Sequence, residues 1–190
     1  MDVATKEHIS NLLIKDATIR YASFQYLAEQ TKEPVDWAYE VWDNLLELSK
    51  KGDNHQRTIA VQLLCNLAKS DPANRMQKDL DTVMLVTKDE KFVTARHSLM
   101  TLWKIAIVNK ILQELVTDKL KKRYKECTTE KNCTLIRYDI IEVFRKIYNE
   151  VPDNKIKDTT LELIKTEEDQ KYQKKYTSLW KDLINPVKRK

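Results

Sequence analysis

An arginine followed four and seven residues later by apolar or aromatic side chains recurs four times along this chain. Arg20 precedes Phe24 and Leu27, Arg57 precedes Val61 and Leu64, Arg96 precedes Met100 and Trp103, and Arg137 precedes Ile141 and Phe144. The intervals between the arginines are 37, 39 and 41 residues. Offsets of four and seven fall on one helix face, and self-similarity at such a period marks a repeated helical unit that cannot bury its apolar side alone. Pro34, Pro72 and Pro152 keep the same register, lying 14, 15 and 15 residues after Arg20, Arg57 and Arg137. Proline lacks the N–H a helix interior needs, so the breaker and the core pattern agree on the unit boundaries.

Composition points the same way. One Gly and four Pro in 190 residues leave little of the turn chemistry that hairpins require. A hydrophobic content of 42% suffices for a continuous core, while 33% charged residues and a mean hydropathy of −0.60 describe solvated outer faces. The net charge of +5 permits an acidic partner or nucleic acid without requiring either. Cys65, Cys127 and Cys133 are odd in number and lack metal-ligand spacing, so they read as reduced structural thiols with no metal and no cofactor implied. The N-terminus carries no apolar signal core, and the longest apolar region is broken by Lys104, Asn109 and Lys110. A cytoplasmic chain without membrane association is expected.

Periodicity predicts ten helices in five antiparallel pairs. They cover about 4–14, 17–31, 35–50, 54–69, a fifth opened by Pro72 with its stripe running to Met84, then 90–108, 110–124, 131–150, 154–166 and 169–184, with a frayed basic tail at 186–190. Asp16 is placed to cap the second helix, and Asp53 or Asn54 the fourth. Gly52 sits where a left-handed residue would end the third. Trp42, Trp103 and Trp180 lie on apolar stripes, whereas Trp37 is expected nearer the outer edge. The run Lys119–Lys125 reads as the solvated last turns of the seventh helix, where cations oppose the helix dipole, with a nucleic-acid or acidic-protein contact on an outer helix as the alternative.

The stretch from Asp16 through Leu27, with its acidic cap, aliphatic-Arg pair and following small and aliphatic residues, resembles the inner helix of a HEAT repeat. The match is good to about residue 150 and looser beyond. The resemblance implies an all-α fold, a right-handed α-α superhelix, or solenoid, of about five antiparallel helix pairs. One array would span 1–185, with repeats at about 1–33, 34–71, 72–109, 110–151 and 152–185. The chain departs from the pattern at Gln56, where an aliphatic residue is usual. Phe92 and Cys133 stand where Asp16 and Asp53 stand in the first two units, so an Asp–Arg ladder is expected to be incomplete in the second half.

In such arrays the second helix of each pair lines a concave face. By register, that face would carry Tyr21, Gln25, Thr58, Gln62, His97, Thr101, Lys104, Tyr138, Glu142 and Arg145. The arginines Arg20, Arg57, Arg96 and Arg137 are read as a structural ladder bonding the turn of the neighbouring repeat rather than a ligand. No catalytic motif appears, and one glycine cannot build a phosphate-cradling loop. The resemblance therefore implies a non-catalytic protein-interaction or scaffold module with a protein or peptide partner. The alternatives are a nucleic-acid binder, or a HEAT-like DNA glycosylase of the alkylation-repair type using Asp139 beside Tyr138. A mixed-sign inner face would favour protein, and a continuous positive one flanked by exposed aromatics would favour DNA.

Overall fold

The computed structural model describes residues 1–184, and the expected basic tail lies outside them. The described residues are all-helical, in agreement with the predicted class. The helices are α1 (Val3–Asn11), α2 (Ala17–Gln30), α3 (Ala38–Lys51), α4 (Asn54–Leu67), α5 (Arg75–Val86) and α6 (Phe92–Leu99). They continue with α7 (Trp103–Ala106), α8 (Lys110–Glu126), α9 (Cys133–Glu150), α10 (Asn154–Lys165), α11 (Gln170–Ser178) and α12 (Lys181–Ile184). Short 3₁₀ turns, Ala68–Ser70 and Cys127–Thr129, extend α4 and α8. No helix among the described residues is long and apolar enough to cross a membrane.

The helices lie in two layers. In one, α3 packs on α5, α5 on α8 and α8 on α10; in the other, α2 packs on α4, α4 on α6 and α7, both of these on α9, and α9 on α11. The first layer is called outer below and the second inner. One apolar core runs between them from Leu12 to Trp180. Trp42 and Trp180 are fully buried, and each satisfies its indole N–H, on Asp79 Oδ2 at 2.8 Å and on the Ile141 carbonyl at 3.3 Å. Trp37 is also buried, not at an edge, because the chain after Pro34 turns once more before α3 begins.

Several boundaries differ from the sequence reading, each for a local reason. The fifth helix starts at Arg75 rather than at Pro72. Asn74 takes a left-handed φ of 55°, which Asn tolerates, and the Asp71 carboxylate reaches forward to accept from the Arg75 and Met76 amides. The predicted sixth helix is divided into α6 and α7. The Thr101 hydroxyl donates to the Ser98 carbonyl at 2.9 Å, and the backbone there closes i to i+3 bonds instead of i to i+4. The tenth is likewise divided at Leu179–Trp180. Asn109, extended at φ −160°, supplies the break that neither Pro nor Gly provides and caps α8 through Leu112 N.

Gly52 is not left-handed. Its φ of −68° and ψ of 169° are open to any residue. Glycine is needed there for space, since a Cβ would stand 2.7 Å from Gln56 Cβ and 2.7 Å from the Leu48 carbonyl. Gln56, off-pattern for a HEAT helix, completes a capping box with Asp53 and donates to the Leu12 carbonyl at 3.0 Å. Cys127 and Cys133 are joined as a disulfide with Cα atoms 5.1 Å apart, which corrects the reading of all three cysteines as reduced. Spacing alone hid this pairing, because the 3₁₀ turn after α8 doubles the chain back on itself. Cys65 is free and buried, and burial pushes its thiol up to about 12.

Candidate functional site: the inner helix layer

Each ladder arginine meets one acid from the following unit. Arg20 is buried and bonds the Ile14 carbonyl at 3.3 Å and Asp53 Oδ2 at 3.0 Å. Arg57 forks onto Asp89 at 2.6 and 3.0 Å while its Nη1 holds the Gly52 carbonyl at 2.8 Å. Arg96 bonds Asp139 Oδ1 at 3.1 Å. Arg137 bonds Glu167 Oε2 at 3.1 Å and the Tyr124 carbonyl at 3.2 Å. The expected gap in the second half is absent. Asp89 and Asp139 answer Arg57 and Arg96 in place of the missing cap residues, and Glu167 answers Arg137 although Asp169 caps α11; only a folded chain reveals that they reach.

The acids differ electrostatically. Burial works to raise the Asp53 and Asp89 carboxyls, but backbone amides and the Arg20 and Arg57 guanidiniums outweigh it and hold both below the ordinary carboxylate value. At Asp139 burial prevails over the Arg96 charge and the carboxyl rises to about 6. Its side chain is only 1% exposed, and Arg96 Nε lies 2.9 Å from Oδ2, off the hydrogen-bonding direction. A carboxylate this enclosed, with Arg96 on one oxygen, cannot reach a base in a groove, which weakens the glycosylase reading.

The ten residues assigned to the concave face by register do not share one environment. Tyr21, Gln25 and His97 are exposed. Thr58 is buried, in correction of its assignment, because α4 turns that position against Ser98 of α6, 3.3 Å away. Gln62 is half-buried and donates to Thr58 Oγ1 at 3.3 Å. Thr101 is half-buried beside Cys65, and Tyr138 packs toward Tyr176 with ring centroids 6.2 Å apart. Glu142 pairs with Lys146 at 3.2 Å. Arg145 forks onto Asp182 at 3.1 and 2.8 Å and covers the Trp180 ring.

Lys104 lies on α7, which packs on α4 and α9. It is half-buried, and its ammonium donates to Asn66 Oδ1 at 2.5 Å. The Asn66 amide is itself held by Thr31 Oγ1 at 2.9 Å. Burial depresses the Lys104 ammonium, and the like charges of Lys69, Lys146 and Lys32 press the same way. Lys69 reaches back to the Lys32 carbonyl at 2.5 Å. Asn66 and Lys146 escaped the register argument because both stand nine residues after a ladder arginine, about 40° beyond the arc considered.

The Lys119–Lys125 run is not wholly solvated either. Arg123 is 1% exposed, forks onto Glu130 and reaches the Thr87 carbonyl, while the buried Tyr124 hydroxyl bonds the Leu163 carbonyl at 2.9 Å.

Neither a family model nor a curated protein matches this sequence. Among solved structures it is similar to the crystal structure of an engineered protein from the Northeast Structural Genomics Consortium. That match has a TM-score of 0.58 and 15% identity, and covers 97% of this chain and 85% of the other. Likeness at that identity speaks for the helical fold alone.

Proposed function

We propose that the chain is a HEAT-type right-handed superhelix of five helix pairs, acting as a non-catalytic module that binds a protein or peptide along its inner layer. The two-layer packing and the arginine–acid pairs between successive units support the architecture. One observation carries the function: the inner helices present polar side chains of both signs at matching positions, while the arginines are already engaged in holding neighbouring units together. Gln25, Gln62 and Thr101 offer hydrogen bonds to a peptide backbone, and Glu142 beside Lys146 gives the face its mixed sign. Nucleic acid is the second reading, favoured only by the lysines around Lys104.

The test is cross-linking of the full chain to partners captured from its source cell, with the cross-links mapped by mass spectrometry. Cross-links concentrated on α2, α4, α6, α7 and α9, and a partner lost from the triple variant Gln25→Ala, His97→Ala, Glu142→Ala, are expected. Cross-links confined to α3, α5 and α8, with full retention by the variant, would overturn the reading. A labelled duplex titrated at two salt concentrations checks the second reading, since phosphate contacts weaken steeply with salt.

A further inference from the structure

Four cations come from four successive inner segments: Lys32, Lys69 and Lys146 lie around the half-buried ammonium of Lys104, which itself rests on Asn66. Lys32 follows the end of α2, Lys69 lies in the turn after α4, Lys104 is on α7 and Lys146 is on α9. The ammonium of Lys104 rests on the Asn66 side chain, which is anchored by Thr31 at the end of α2; Lys69 rests on the Lys32 carbonyl. Among the described residues, Lys69 and Lys104 find neutral oxygens as partners, whereas Lys32 pairs with Glu29 at 2.6 Å and Lys146 with Glu142 at 3.2 Å.

Packing alone does not explain this grouping. Cations at the carbonyl ends of α2 and α4 complement the helix dipoles, which covers Lys32 and Lys69. Lys104 belongs to a single helical turn, and Lys146 lies four residues before the end of α9, so the dipole does little for either. Gathering like charges around a half-buried ammonium works against folding, and a bound anion would relieve it.

We propose that Lys32, Lys69, Lys104 and Lys146 form the binding site for an acidic stretch of a partner polypeptide, an inference that rests on the inner-layer reading above. Lysine is a flexible point charge and tolerates the variable placement of Asp and Glu along an extended chain. Glu29 and Glu142 border the site and would repel a continuous phosphate backbone, while a peptide can set neutral residues opposite them. The Trp103 ring is covered by the Lys104 ammonium at 5.9 Å instead of lying open for a base to stack.

The experiment uses the full chain and a fluorescein-labelled decaglutamate peptide, read by fluorescence anisotropy at low and moderate salt. The double variant Lys69→Gln, Lys104→Gln is expected to weaken binding at least tenfold. Lys78→Gln, Lys165→Gln, which removes the same charge from exposed positions on α5 and α10, is expected to change it less than twofold. Equal losses in the two variants, no binding by the wild type, or tighter binding of a single-stranded oligonucleotide of equal charge would overturn the proposal. Lys69→Gln alone, at an exposed position, serves if the double variant unfolds. A captured partner that cross-links to the inner helices yet ignores Lys69→Gln removes the lysine site and leaves the inner-layer reading standing; cross-links on the outer helices remove that reading itself.

Discussion

Asp139 and Arg96 form an ion pair in which the carboxylate is sealed and the guanidinium is open: the Asp139 side chain is 1% exposed and that of Arg96 42%. The two partners therefore should not cost the same to remove. Arg96→Ala strands a charge inside the core and should destabilise by about 3 kcal/mol at neutral pH, whereas Asp139→Asn leaves a solvated arginine. Chemical denaturation of both variants measures the difference. Equal losses would contradict the asymmetry.

The same carboxylate should leave a mark on the pH profile. A carboxyl raised to about 6 on folding binds a proton more readily in the native state. Its contribution favours the fold fully below the ordinary value near 3.8 and is lost as pH rises through about 6, a swing of about 3 kcal/mol. Asp53 and Asp89 are held low and act in the opposite direction, contributing above their unfolded value and losing that contribution as pH falls through the folded one. Comparing Asp139→Asn with the wild type cancels them. The variant should melt higher than the wild type at pH 7.5, and that advantage should vanish by pH 4.5.

Arg57 and Asp89 join the second and third units through a fork that a lysine cannot reproduce. Arg57→Ala should cost about 3 kcal/mol, because the Asp89 side chain is only 5% exposed and would stay charged. Arg57→Lys should recover only part of that loss. Thermal unfolding followed by circular dichroism reads both, and full recovery by lysine would show that charge alone matters.

Gly52→Ala should destabilise by about 1–3 kcal/mol through overpacking, since the new methyl group meets the Leu48 carbonyl and the Gln56 side chain. The Gln56 contact to Asp53 N should loosen with it. Hydrogen exchange at the start of α4 would report the loss. An unchanged melting temperature would mean that the turn relaxes freely.

The Cys127–Cys133 pair closes a loop with a sequence separation of 6. A loop that short contributes about 2 kcal/mol in the chain-entropy picture. Alkylation of the unreduced, denatured chain should label one cysteine, Cys65, and reduction should lower the melting temperature by several degrees. Three labelled cysteines before reduction would refute the pairing.

The sequence by itself determined the helical class and singled out the four arginines, because periodicity, proline placement and the scarcity of glycine are local and act before any long-range contact forms. Only the tertiary structure decided which acid answers each arginine, that Thr58 turns inward and Trp37 is buried, that Cys127 meets Cys133, and that Lys32, Lys69 and Lys146 lie near Lys104. Those outcomes depend on how neighbouring units rotate against each other. That rotation is set by packing between side chains tens of residues apart, which no spacing within a single helix records.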